Sequence, residues 1–362
     1  LPTLAVITSL AIAMRRVRPY SQFVSGLLLS FLCLLAACGK QEAAVVSIAV
    51  HPSNPNILYV ATNDGVLKTR DGGNTWEQFP SFTARRVTTL AIDPKLPATI
   101  YAGTMGDAVY KSPDGGQHWL PHNVGLKEHV SFVSEFVFDP NNTDIIYLAT
   151  TIGAFATKDG GRSWDERMAG MKEVHIVTCM TIDRKNPRVL YAGTTGGTYR
   201  SEDGSSSWVR VNNGLIPEDV LNASMALGVN VLAVDPTNSN FVYAGTTRGL
   251  FRSANRAEKW EEVGQGLPDQ FVSTLVLHPT DPRVLYVGGR AGVLKSMDGG
   301  KTWQAKNQGL ETLNVRTISM SASNPQLIYA GTNGSGLYRS SDGGDTWTPL
   351  PLDRRPTAQP SP

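Results

Sequence analysis

Short apolar runs rich in β-branched residues alternate with polar, turn-forming clusters from about residue 45 to residue 350, and nothing in that span sustains a helical period. One unit shows the pattern. Val87 to Ile92 is β-branched and apolar and stops at Asp93-Pro94, a turn signal. Thr99 to Thr104 predicts a second strand, a glycine-containing turn follows, and Ala108 to Ser112 predicts a third. Asp114-Gly115-Gly116 marks a further turn, after which Trp119 opens a fourth strand.

The unit recurs. All seven tryptophans hold one place in it: Trp76, Trp119, Trp164, Trp208, Trp260, Trp303 and Trp347, spaced by 43, 45, 44, 52, 43 and 44 residues. Tyr59, Tyr101, Tyr147, Tyr191, Tyr243, Tyr286 and Tyr329 keep the same beat, each in a phrase like Ile100-Tyr101-Ala102-Gly103-Thr104. Four strands in a unit of about 44 residues, seven times over, predict an all-β chain: a seven-bladed β-propeller of four-stranded antiparallel blades. The propeller is expected over residues 43–350, with Val45 to Val50 as its first strand. Because units and blades are in phase, the ring is expected to close by side-by-side packing. Pairing of residues 40–46 with the last blade is the other route.

The turn before each tryptophan resembles the Asp box, Ser/Thr-x-Asp-x-Gly-x-x-Trp. It reads Thr69-Arg70-Asp71-Gly72-Gly73-Asn74-Thr75-Trp76 in the first unit and returns around Asp114, Asp159, Asp203, Asp298 and Asp342. The carboxylate is suited to accept backbone N–H groups of its own turn, and glycine supplies the positive φ of a tight hairpin. The ligand spacing and closing Glu of a calcium loop are absent, so the six aspartates are read as structural. Unit four has Ser205 for the second glycine. Unit five reads Ser253-Ala254-Asn255-Arg256-Ala257-Glu258-Lys259-Trp260, without Asp or Gly, and predicts an altered hairpin.

Residues 1–37 read as a targeting segment. After Met14, Arg15, Arg16 and Arg18 form a basic region and Phe23 to Leu35 an apolar one. Leu35-Ala36-Ala37-Cys38-Gly39 resembles a bacterial lipobox, which implies acylation of Cys38 and a lipidated linker over 38–42. An ordinary signal peptide that happens to contain Cys38 is the alternative. A transmembrane anchor fits poorly, since the run is short and ends in small residues. Residues 1–13 precede that Met, read as translated upstream sequence and receive no function. Residues 351–362, rich in proline, predict a disordered tail.

This segment changes the charge argument. The chain holds 33 Lys and Arg against 31 Asp and Glu, but residues 1–37 carry three Arg and no acid, so the remainder has a net charge of −1. Nucleic acid is therefore not an expected partner. Beyond Cys33 and Cys38 only Cys179 remains, which excludes an intrachain disulfide and a cysteine-based zinc site downstream and suits a small buried strand residue. No cofactor or metal is expected.

The phrase structure over roughly residues 43–350 resembles photosystem II assembly and stability factor-like proteins, two-propeller xyloglucanases, sortilin ectodomains and sialidases. The first resemblance implies a non-catalytic scaffold with an arginine-rich face. The xyloglucanases imply a cleft between two propellers, each giving one carboxylate, but this chain has sequence for one. The sialidase Arg-Ile-Pro motif is missing.

Binding residues are expected on the face shared by the inter-unit loops and the second-to-third-strand turns. Asn212 to Asn230 is the longest inter-unit loop and carries Glu218 and Asp219 beside Leu221, Met225 and Leu227, a contact element or a tolerated insertion. Arg248 and Arg290 occupy equivalent turns of units five and six, Arg316 opens the first strand of unit seven, and Arg85 and Arg86 are assigned to unit one. Those units are consecutive around a closed ring, which predicts a basic patch for partner carboxylates. Scattered solvated arginines are the alternative. Asp64, Asp107, Glu128, Glu173 and Asp269 are carboxylates on the same face, His129 and His175 lie in inter-unit loops without metal-type spacing, and Phe132, Phe155 and Phe271 are the aromatic candidates for a sugar cleft. His51 and His278 replace the Asp of the Asp-Pro turn. No Ser/His/Asp arrangement or phosphate loop is visible, and no catalytic residue is assigned.

The expectation is an extracytoplasmic lipoprotein, held to a bacterial membrane on its periplasmic or outer side. Its propeller face binds a protein partner, as an assembly or stability factor for a membrane-associated complex. The alternative is a carbohydrate-active propeller, a glycoside hydrolase or glycan-binding protein.

Overall fold

A computed structural model describes residues 43–79, 82, 84, 86–126, 130, 132–171, 176–215 and 227–353. The targeting segment, Cys38, Arg85, Glu218, Asp219, Glu128, Glu173, His129, His175 and the end of the tail lie outside them. Seven four-stranded antiparallel sheets are present, each taken from four consecutive strands, and they form the seven-bladed propeller.

Within each blade the strands run outward in chain order. The inner strands are Val45–Val50, Val87–Ile92, Val133–Phe138, Val177–Ile182, Val229–Val234, Val272–Leu277 and Val315–Met320. Each begins with a buried valine followed by a register shift, such as that between Val45 and Ser47. The second strands, such as Leu58–Thr62 and Ile100–Thr104, are buried at all five positions because neighbouring blades cover both faces. A fully buried Leu, Ile or Tyr there removes enough apolar surface to contribute about 1.5–3 kcal/mol. Two-residue outer strands such as Leu120–Pro121 are exposed.

The repeated tyrosine ties blade to blade. Tyr59 Oη donates to Gly115 O (3.0 Å), Tyr101 to Gly160 O (2.9 Å) and Tyr286 to Gly343 O (2.7 Å), each acceptor sitting in the next blade's third-to-fourth-strand turn. The cation beside it on the third strand reaches the same oxygen: Lys68 Nζ at 2.9 Å, Lys111 at 2.8 Å and Lys295 at 2.9 Å. Tryptophan works in the reverse sense. Trp164, Trp208, Trp260 and Trp347 donate Nε1 to carbonyls of the preceding blade, His122, Arg167, Val211 and Lys306.

The ring closes without strand exchange among the described residues. Val45 pairs with Thr62 of its own blade, and the inner strand Val315–Met320 packs beside Val45–Val50. Tyr329 Oη reaches Pro55 O (3.1 Å), Arg339 Nη1 reaches Gly72 O (2.8 Å), and Leu337 and Leu350 join Val60 and Trp76 in one apolar cluster.

Candidate functional site

The two faces differ in how their side chains are occupied. On one, the turn aspartates are saturated. Asp71 Oδ1 accepts Thr69 Oγ1 (2.7 Å) and the N–H groups of Asn74 (3.0 Å) and Thr75 (2.9 Å), while Oδ2 accepts Thr75 Oγ1 (2.7 Å). Asp159, Asp203, Asp298 and Asp342 repeat the bond to a Ser or Thr hydroxyl at 2.6 Å, and Asp114 uses the His118 ring at 2.6 Å. Bonds from the Thr302 hydroxyl and N–H hold Asp298 down to about 2, and the His118 N–H does the same for Asp114. These carboxylates are spent on their own turns.

Unit five corrects the expectation of an altered hairpin. Asn255 Oδ1 accepts Ser253 Oγ (2.8 Å) and Lys259 N (2.9 Å), the same bonds an Asp makes, and Arg256 and Ala257 take the positive φ of the missing glycines, 61° and 68°. The backbone is retained and the strain of two L-residues in that region is the cost. His51 and His278 also copy a carboxylate: each Nδ1 accepts turn N–H groups, from Asn54 at 3.1 Å and Asp281 at 3.0 Å.

The opposite face carries the arginines. Hydrogen bonds join its two loop sets directly, with Met105 N meeting Arg86 O (3.0 Å), Thr247 N meeting Gly228 O (2.9 Å) and Asn333 N meeting Asn314 O (3.0 Å). Arg86, Arg248, Arg290 and Arg316 are all exposed, and among the described residues none pairs with a carboxylate. Arg290 lies over the Phe271 ring, 4.7 Å from its centroid, a cation–π contact. By contrast Arg200 and Arg256, on the aspartate face, contact Glu202 at 3.4 and 3.2 Å.

Placement of these groups needs two corrections. Arg86 leads into Val87–Ile92, the inner strand of blade 2, so blade 1 intervenes and the arginine blades are 5, 6, 7 and 2. Phe155 is fully buried in the core between blades and lines no cleft. Asp64 and Asp107 are exposed in the second-to-third-strand turns of blades 1 and 2, and Asp269 is bound to the N–H of Phe271 (2.9 Å). Of the long loop, Leu227 is buried. Among the described residues no three His, Cys, Asp or Glu side chains converge as metal ligands.

Sequence reasoning missed Glu135, third in the inner strand of blade 3. It borders a cavity of about 530 Å³ together with Lys95 and Arg184. A signal was present: the other blades carry Ser47, Thr89, Cys179, Val231, Thr274 and Thr317 at this position, so Glu135 is the acid in a column of small or hydroxyl-bearing residues.

Comparison with known proteins follows the same lines. Residues 64–198 match the family described as Sortilin, neurotensin receptor 3. A probable oligoxyloglucan-reducing end-specific xyloglucanase of Neosartorya fischeri is 31% identical over 141 residues, covering 33% of this chain and 17% of that protein. The chain thus spans about a sixth of the length of the curated relatives it matches. Among solved structures, an ancestral GH74 enzyme superposes with a TM-score of 0.68 at 18% identity, over 85% of this chain and 46% of its own. YCF48 bound to D1 peptide superposes with a TM-score of 0.58 at 18% identity, over 83% and 94%. YCF48 from Cyanidioschyzon merolae does so at 17% identity with the same TM-score, over 83% and 96%. At such identities these structures share the fold. The DUF6242 beta propeller domain matches residues 134–358, more than half of the chain, and this protein belongs to that family.

Proposed function

We propose that this propeller is a protein-binding scaffold whose arginine face receives an acidic segment of a partner in a membrane-associated complex, the chain being held to the membrane through a lipid on Cys38. One observation carries the reading: Arg248, Arg290 and Arg316, on three consecutive blades, are exposed and unpaired among the described residues, whereas every aspartate of the opposite turns is satisfied internally. Unpaired guanidinium groups recognise carboxylates in fixed planes. The likeness to YCF48, which has been solved with a D1 peptide, supports a peptide-binding propeller of this size.

A crosslinking pull-down from native membranes, run with wild type and Arg248→Glu/Arg290→Glu, tests it. A defined partner recovered by wild type and reduced at least tenfold with the double variant is the expected result. An equal recovery, or none, overturns the reading.

The likeness to xyloglucanases favours a second reading, a carbohydrate-active face, for which Asp64 and Asp107 in equivalent turns of adjacent blades supply the acids. Release of sugar from xyloglucan, abolished by Asp64→Asn or Asp107→Asn, would establish it in place of the first.

A further inference from the structure

The inner wall holds a carboxyl group that neither face uses. At the third position of an inner strand, a hydroxyl is enough to serve the neighbouring blade: Ser47 Oγ accepts Leu90 N (3.0 Å) and Thr274 Oγ1 accepts Ile318 N (3.3 Å). Glu135 does the same through Oε2, which accepts Met180 N at 2.9 Å. That leaves Oε1 over. Among the described residues no cation and no second donor meets this carboxyl group. Burial pushes it up to about 7, against the pull of the Met180 N–H.

Glu135 stands at the wall of the cavity of about 530 Å³ that opens among the inner strands of blades 2 to 5, on the aspartate-turn side. Phe138, Ile182 and Leu232 make its apolar wall, and Lys95 and Arg184 come from the turns that lead out of the inner strands. Arg184 is exposed and Lys95 Nζ holds Asn141 O. The volume lies in the range of small-molecule sites.

Three features restrict the occupant. A pure anion meets Glu135, a pure cation meets Lys95 and Arg184, and a neutral hydrocarbon leaves Oε1 of the half-buried Glu135 carboxylate without a partner. We propose that this cavity binds a free α-amino acid with an apolar side chain. Its ammonium group sits on Glu135 Oε1, its side chain on Phe138, Ile182 and Leu232, and its carboxylate toward Lys95 and Arg184. The site is independent of the arginine face.

Other titratable groups near Glu135 are few. Cys179, on the adjoining inner strand, has its thiol pushed up by burial and by the Glu135 charge. Asp93, Asp139 and Asp183 are tied to N–H groups of their own turns and do not line the cavity. An ammonium ligand therefore reads the ionisation of Glu135.

Calorimetric titration at pH 8 with L-leucine and N-acetyl-L-leucine tests the assignment. Leucine is expected to bind and the acetylated probe at least tenfold more weakly. Affinity for leucine should fall about 30-fold between pH 8 and pH 5.5 as the carboxylate takes up its proton. Glu135→Gln keeps an acceptor for Met180 N and should lose binding at least tenfold at an unchanged melting midpoint. A carbon-13 titration of Glu135 in wild type is independent of that variant, and its midpoint should drop when leucine is added. Arg248→Glu/Arg290→Glu should leave all of this intact. No binding at 10 mM, equal affinity for the acetylated probe, or affinity indifferent to pH or to Glu135→Gln overturns the proposal.

Discussion

Two neighbouring seams of the ring, between blades 6 and 7 and between blades 5 and 6, are built from the same repeat and are held differently. At the first, Trp347 N donates to Gln308 O (2.9 Å), its Nε1 to Lys306 O (2.7 Å), and Lys306 Nζ pairs with Asp345 at 2.7 Å. At the second, Trp303 is only half-buried. Its Nε1 is divided between Val263 O (3.3 Å) and Gly300 O of its own turn (3.1 Å), and Arg252 reaches Gly299 O at 3.4 Å. The two seams differ in one side chain that anchors the inter-blade chain; at the equally tight seam between blades 3 and 4, Met168 holds that place and its Sδ accepts Ala154 N (3.1 Å). Asn307 clamps the inter-blade chain to its own third strand, with Oδ1 accepting Val293 N (2.8 Å) and Nδ2 donating to Ala291 O (3.0 Å). Asn123 and Asn212 do the same in blades 2 and 4. Blade 5 has Gly264 there, which has no side chain to clamp, and among the described residues no backbone hydrogen bond joins the chain beyond it to Trp303.

The glycine two residues on reports the outcome. A Cβ on Gly309 would lie 2.0 Å from Trp347 O, whereas a Cβ on Gly266 would meet nothing within 4 Å, although both have positive φ, 93° and 89°. Gly309→Ala is therefore expected to destabilise by about 3 kcal/mol or more, combining an unfavourable φ with a backbone clash. Gly266→Ala should cost only the φ term, about 1–2 kcal/mol. Urea unfolding of both variants checks this, and equal losses would break the distinction between the seams.

Asn307→Gly should turn the tight seam into a copy of the loose one. Losing two hydrogen bonds and stranding Val293 N–H costs about 2 kcal/mol. The reverse change, Gly264→Asn, should recover about 0.5–1 kcal/mol. The gain is smaller because a Cβ there comes within 3.0 Å of Leu250 N. Hydrogen exchange at Trp303 N–H should slow in Gly264→Asn, and an unchanged rate would show that the asparagine does not set the seam.

Much of this was legible in the sequence, because the blade repeats. Trp and Tyr at one beat gave the blade count, and Val45–Val50 is the first inner strand as expected from its β-branched run. The hairpin of unit five departs from expectation for a physical reason: Ala257 N–H donates to Ser253 Oγ and Lys259 N–H to Asn255 Oδ1, and these bonds hold Arg256 and Ala257 in a φ region that residue preference argues against. The sequence predicts a patch of arginines from consecutive units, but it places Arg86 one blade too early, since adjacency around a ring depends on which blade a loop enters. Glu135 was hidden because each inner strand reads as an apolar run, and only alignment of the seven copies shows the acid on the wall.

The smallest test of the comparison lies in the turns themselves, where blade 6 has Asp298 and blade 5 has Asn255. Both accept through Oδ1, but only Asp298 has a second oxygen, which takes Thr302 Oγ1 at 2.6 Å; the equivalent residue in blade 5 is Lys259. Thr302 lowers Asp298 to about 2, below its unfolded value near ~3.9. The sign is that of a depressed acid: its contribution is fully present above pH ~4 and is lost as pH falls through 2. Asp298→Asn should therefore be less stable than wild type at pH 5, and the gap in urea midpoint should close by pH 2. Asn255→Asp in blade 5 should give a weaker pH dependence, because no hydroxyl waits for Oδ2. If it gave the same dependence, the backbone N–H groups alone would hold these carboxylates and the paired Ser or Thr would be dispensable.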